Sequence, residues 1–206
     1  MTRTLVPDLA PRQLDAIREV ASIGAGHAAT ALGTMLGRTI LAQVPRIALV
    51  PCLELAAEVD AAAASELAVV RMAVHGHLLA HALVVLHGDD ARALAGALTG
   101  RAAPTFGVLE RSAVQECANI VAGAYLSALA GLTGRACMLA PPQLHCGAAD
   151  AALGAALRDT ACPGGAVLCV ESELRVRERD VPVRAWFLLV PAPGGLRALL
   201  DAVGLA

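Results

Sequence analysis

The chain has 206 residues, enough for one substantial core or two small fused halves, and a formal net charge of −2. It is 57% hydrophobic but only 2% aromatic, so Ala, Leu and Val build the core, and side chains this small must pack tightly because each buries little area. With a pI of about 6.3, no basic face to collect on phosphate backbones and almost no aromatic platform for bases, nucleic-acid binding is excluded.

Taken in chain order, residues 9–37 read as a long helix opening near Pro11, a residue suited to a first turn. Residues 39–50 carry Pro45 among β-branched residues and predict an edge or irregular strand. Residues 54–65 are alanine-rich, helical or loosely connecting. Residues 67–74 and 78–86 are Val/Leu-rich runs about His75-Gly76-His77, the pattern of a hairpin. Asp89-Asp90 is expected to cap a short helix running to Leu98 and ended by Gly100. A linker around Pro104 and Gly107 leads to a second long helix over 109–134, then strand-like 137–139, Pro141-Pro142 and an alanine-rich helix near 148–158. After Pro163-Gly164-Gly165, residues 167–177 and 181–190 predict a second hairpin, and 195–203 a closing helix. Alternation in Glu171-Ser-Glu173-Leu-Arg175-Val-Arg177 gives its first strand one solvated face.

Both halves thus read as helix, strand, helix, hairpin, helix. The fold class expected is α+β: one mostly antiparallel central sheet covered by long helices, with the two hairpins joined about a pseudo-twofold axis. The whole of 1–206 forms one domain made of two repeats, about 9–100 and 107–204.

Mean hydropathy of +0.63 raises the question of a membrane span. Residues 20–37 and 117–134 are uncharged, and Gly33-x-x-x-Gly37 matches a transmembrane contact motif. Both stretches are rich in Gly and Ala rather than Leu and Ile, and each directly follows a glutamate, so no span is expected. Met1-Thr-Arg-Thr-Leu-Val-Pro offers no apolar core for a signal peptide, which points to the cytoplasm. The six cysteines (Cys52, Cys117, Cys137, Cys146, Cys162, Cys169) lack metal-finger spacing, and no disulfide framework is expected. Cys117 and Cys169 read as buried thiols. His75, His77 and His81 lack a neighbouring Cys or carboxylate and read as structural, so no metal site is expected. Gly24-Ala-Gly26 lies within a helix, where helix packing explains it better than phosphate binding. No Ser-His-Asp or Cys-His arrangement is legible.

One constant offset of 97 positions carries Glu19 to Glu116, Ser22 to Asn119 and Pro45 to Pro142. The same offset pairs Ile23 with Ile120, Ala25 with Ala122, Gly26 with Gly123 and Arg38 with Arg135. One supersecondary unit has been used twice. On a helix, positions i, i+4, i+7 and i+11 fall within a single arc of about 60°. Ser112, Glu116, Asn119 and Gly123 occupy those places, as do Asp15, Glu19, Ser22 and Gly26. Each long helix therefore carries one narrow polar stripe that ends at a glycine, where another surface can come close. A lone Glu or Asn on a helix is ordinarily a solvated face or an interhelical bond. A duplicated stripe with matched proline spacing is a stronger signal.

The pattern Asp/Ser-x-x-x-Glu-x-x-Asn, followed by Pro at the interval that separates Asn119 from Pro142 and Ser22 from Pro45, resembles the signature of the CheC-type chemotaxis phosphatases. That family comprises CheC, CheX and the flagellar switch phosphatase FliY. Residues 23–32, 119–129 and 89–98 also resemble it, so the likeness spans nearly the whole chain. It implies a phosphatase acting on the phospho-aspartate of the response regulator CheY. Asn119 would orient the attacking water, Glu116 would pair with a receiver cation such as its active-site lysine, and Ser112 would add a peripheral contact. No cofactor of the chain's own is implied, since the receiver supplies Mg2+. The first copy departs from the signature at Ser22, which is too short to present a planar amide, so Asp15 and Glu19 dock a receiver there at most weakly. The alternative reading is a non-catalytic module that sequesters phospho-CheY or regulates the receptor deamidase CheD. For residues 148–157, with Asp150, the resemblance implies CheD docking, and a plain amphipathic cover helix is equally open. The duplication lets a monomer form both faces.

Overall fold

The structure is a computed structural model and describes residues 11–61, 66–100, 105–158, 160, 165–176 and 183–202. The expected linker at Pro104, the break at Pro163-Gly164 and the turn at Glu178-Arg179-Asp180 lie outside the described residues. Helix α1 (Pro11–Leu36) and helix α4 (Val108–Thr133) are the two long rods. Each stops at a glycine in the left-handed region, Gly37 at φ +62 and Gly134 at φ +66, the conformation that closes helices at least cost when no Cβ is present. The strands are β1 (Ile40–Pro51), β2 (Glu66–Gly76), β3 (Ala80–His87), β4 (Cys137–Leu139), β5 (Gln143–Ala148), β6 (Ala166–Val176) and β7 (Val183–Pro191). Shorter helices are α2 (Leu55–Glu58), α3 (Gly88–Thr99), α5 (Ala149–Leu157) and α6 (Gly195–Ala202).

All pairings are antiparallel, in the order β1-β6-β7-β3-β2-β4, with β5 also on β2. Alternation along the strands feeds two cores. From β7, Ala185, Phe187 and Leu189 face the long helices, while Trp186, Leu188 and Val190 face the side covered by α2 and α5, as a period of two requires. The α+β sheet with covering helices is as expected, and β6 keeps its solvated face: Glu171 and Glu173 are half-buried, Arg175 is exposed and Ser172 and Leu174 are buried.

The two hairpins meet where β3 pairs with β7. Each half's first strand crosses over: β1 pairs with β6 of the second half, and β4 and β5 pair with β2 of the first. Neither half closes its own part of the sheet. A fragment spanning residues 1–103 is expected to show no cooperative thermal transition, and mixing it with a fragment of residues 104–206 is expected to restore one. Independent melting of either fragment would contradict this.

The two prolines have matching consequences, because proline cannot donate to a ladder. Around Pro45 the β1–β6 register slips between Gln43 and Arg46. At Pro141-Pro142 the strand is cut into β4 and β5, although the Ala140 amide still donates to the Ala73 carbonyl at 2.8 Å.

Three expectations need correction. Strand β5 was not predicted; a short run between two prolines and an alanine-rich helix carries little signal, and its pairing with β2 creates it. Asp89 and Asp90 do not cap α3, which opens at Gly88 with His87 at the N-cap and no side-chain cap bond. They sit in the first turn, where acids suit the helix dipole, and Asp89 accepts from Arg92, which also donates to Glu66, both at 2.7 Å. Cys52 is disulfide-bonded, because tertiary proximity formed a bond that spacing did not announce. Cys117 and Cys169 are buried free thiols as expected. Among the described residues no helix is long and apolar enough to cross a membrane.

Candidate functional site

The C-terminal half of α4 is clamped. Tyr125 is stacked on Phe187 with ring centroids 4.6 Å apart, and its hydroxyl lies 2.6 Å from Ser172 Oγ. Gly24 of α1 lies against it so closely that a Cβ there would sit 2.6 Å from Tyr125 Cδ1 and 3.0 Å from its Cα. Gly24 is therefore the helix-packing glycine that the sequence suggested. Gly26 is not, since a Cβ there would meet nothing within 4 Å.

Above that clamp the stripe runs along the outer side of α4. Ser112 and Glu116 are exposed and Asn119 and Gly123 are half-buried, while Val114, Cys117, Ala118, Val121 and Ala122 turn inward. Among the described residues no hydrogen bond or ion pair engages the side chain of Glu116 or Asn119. A Cβ on Gly123 would also meet nothing within 4 Å. The arrangement is a carboxylate and a carboxamide on one rigid rod, one turn apart, both free to meet an incoming surface.

On the matching side of α1, Asp15, Glu19, Ser22 and Gly26 are all exposed. Asp15 accepts from Arg18 of its own helix at 3.4 Å, an exposed contact of little energetic weight.

A further residue, not singled out from the sequence, ties α4 to its proline. Gln115 Nε2 donates to the Pro142 carbonyl at 2.9 Å, and Arg111 Nη2 donates to the Leu144 carbonyl at 3.3 Å. Comparison of the two copies hides this residue, because position 18 in the first copy is Arg18. The available signal was a neutral polar residue at about −60° from Ser112, between the stripe and the buried face.

The thiol beside Glu116 is no nucleophile. Burial, reinforced by the Glu116 charge, pushes Cys117 up to about 12, so the reactive thiolate is scarce at neutral pH. His75 and His77 are exposed and His81 is half-buried; burial, then Arg71 and His75, lowers the His81 pKa. Among the described residues no group of three or more His, Cys, Asp or Glu is placed to hold a metal ion. Asp150 stands exposed at the start of α5, whose Ala152, Leu153 and Ala156 are buried.

The model of the CheC-like family matches residues 13–48 and 109–145, so each matched segment holds one stripe, one long helix and one proline-interrupted strand. The CheY-P phosphatase CheC of Bacillus subtilis is 27% identical over 199 residues, covering 93% of this chain and 94% of that protein. The chain is thus similar to the CheC-like family in both matched segments, and to one CheY-P phosphatase along most of its length. Solved structures share its fold. Thermotoga maritima FliY superposes with a TM-score of 0.75 at 22% identity, over 96% of this chain and 98% of that one. The FliM middle domain from H. pylori gives 0.69 at 9% identity, over 94% and 99%.

Proposed function

We propose that this chain is a CheC-like protein that accelerates hydrolysis of the phospho-aspartate of a CheY-type response regulator in chemotaxis signalling, in the cytoplasm. The observation that carries the reading is the pair Glu116 and Asn119, displayed on one side of α4 with no partner of their own among the described residues. Unpaired polar groups on an immobilised helix are free to bind a second protein without first breaking an internal bond. The name borne by the Bacillus subtilis relative supports the substrate class.

Phosphoryl transfer asks mainly for positioning and charge stabilisation. The receiver supplies the acyl phosphate and its Mg2+, which neutralises charge on the transferred group. The chain then contributes a docking group and a water-orienting group. Glu116 lies at the outer edge of the stripe, where it can pair with a receiver cation and set the register. Asn119, one turn further along, carries both a carbonyl that accepts from water and an amide that donates. An open Gly123 lets the receiver backbone come near. The degenerate first stripe, with Ser22 in place of the amide, is assigned weak docking and no turnover. We also propose that Asp150, exposed on α5, takes part in holding CheD.

The deciding experiment follows inorganic phosphate release from a phosphorylated CheY-type receiver with and without the protein. Release is expected to accelerate in proportion to catalytic amounts of the chain. Stoichiometric binding with unchanged release would instead establish the sequestering module.

A further inference from the structure

We infer that Gln115 is a positioning residue for the Glu116–Asn119 pair, acting by locking the roll of α4 against the Pro142 segment. This inference rests on the reading of α4 as the working face.

The physical need for such a lock lies in how the helix is seated. Its C-terminal half is fixed by a bulky, hydrogen-bonded aromatic, Tyr125. The half that carries the stripe is seated on Val114, Cys117, Ala118, Val121 and Ala122. Alanine and cysteine project little into a neighbouring groove, so the apolar contacts of this half fix its roll less than an aromatic does, and Gln115 adds to the 3.3 Å bond from Arg111 to the Leu144 carbonyl. A side-chain tip stands roughly 5–6 Å from that axis, so a roll of about 10° moves the Asn119 amide by about 1 Å. A misplacement of about 1 Å can cost up to about 10²-fold in a reaction that depends on alignment.

Directional bonds supply what small apolar residues do not. Gln115 donates to the carbonyl of Pro142 at 2.9 Å from a half-buried position directly preceding Glu116. Proline matters at the other end. Pro141-Pro142 interrupts the ladder between β4 and β5, which leaves a carbonyl in that interval free to accept from a helix instead of from a strand. This gives a physical account of the fixed spacing from the stripe to the proline: it brings the strand interruption alongside the turn before Glu116. In the first copy the same helix position is Arg18, which reaches Asp15 within its own helix at 3.4 Å.

The test is steady-state turnover of a phosphorylated receiver by Gln115→Met, which keeps side-chain length and removes the donor, and by Gln115→Lys, which restores a donor. Gln115→Met is expected to lose at least about tenfold in kcat, with KM for the receiver within about twofold and far-ultraviolet circular dichroism unchanged. Gln115→Lys is expected to recover most of that kcat. Wild-type kcat in Gln115→Met overturns the inference, as does a fall in kcat matched by an equal rise in KM. If Gln115→Met does not fold, Gln115→Lys decides alone: loss of turnover in that folded variant is equally fatal. Asn119→Ala run alongside separates the two ideas. If Asn119→Ala keeps full activity, the working face itself is misassigned; if it is inactive while Gln115→Met is normal, only the lock is wrong.

Discussion

Replacing Asn119 by Ala is expected to reduce stimulated phosphate release by about 10²-fold or more, while Ser22→Ala changes it by less than about twofold. The size follows from the role proposed for the carboxamide: one preorganised polar group aimed at the reacting atoms is worth about 10²–10³ in rate. The fold should tolerate the change, because Asn119 is half-buried and no bond to it is lost among the described residues. Receiver binding should persist, since Glu116 is untouched. The contrast with Ser22 is the sharper half of the prediction. Ser22 is exposed on α1 at the position one repeat earlier, but its hydroxyl sits on a single carbon and holds neither the reach nor the planar donor–acceptor pair. Phosphate release measured for both variants checks this. Equal losses would show that both stripes work and that the asymmetry is wrong.

The second large effect separates two glycines that look alike in the sequence. Gly24→Ala is expected to lower the melting temperature by about 4–8 °C. Its Cβ would sit 2.6 Å from a Tyr125 ring carbon and 3.0 Å from the Tyr125 Cα, and the ring is held by Phe187 and Ser172. Overpacking against backbone costs about 3 kcal/mol, the upper end of the usual range. That outweighs the gain of about 1 kcal/mol from alanine in a helix. The net loss of about 2 kcal/mol converts to that shift for a chain of this size. Gly123→Ala should do the reverse: nothing lies within 4 Å of the added carbon, so stability rises by about 0.5–1 kcal/mol. Its turnover should nevertheless fall, because under the proposed docking the methyl group would stand where the receiver approaches. Calorimetry and phosphate release on the two variants are sufficient. Gly123→Ala with unchanged turnover would remove the glycine from the docking surface.

Much of this was legible because the signals were local and repeated. Val/Leu-rich runs on either side of His75-Gly76-His77 announced the β2–β3 hairpin, and the long uncharged runs ended by Gly37 and Gly134 announced the two rods. The stripe was legible because helical spacing converts sequence intervals into a direction, and on α4 that direction runs from exposed Ser112 and Glu116 to half-buried Asn119 and Gly123. What escaped depends on partners distant in the chain. Strand β5 exists by pairing with β2, and the first strand of each half finds the hairpin of the other half, which internal repetition alone cannot reveal. Gln115 escaped for a related reason: its acceptor, the Pro142 carbonyl, lies 27 positions away. The Cys52 bond is tertiary in the same sense.

The exchanged strands carry one more implication. With β1 seated on β6 and β4 and β5 seated on β2, a half-length ancestor could reach this architecture only as a pair of identical chains lending each other their opening strand. Fusing such a pair would leave two equivalent docking faces on one polypeptide, and one of them could then lose its amide without the organism losing the reaction.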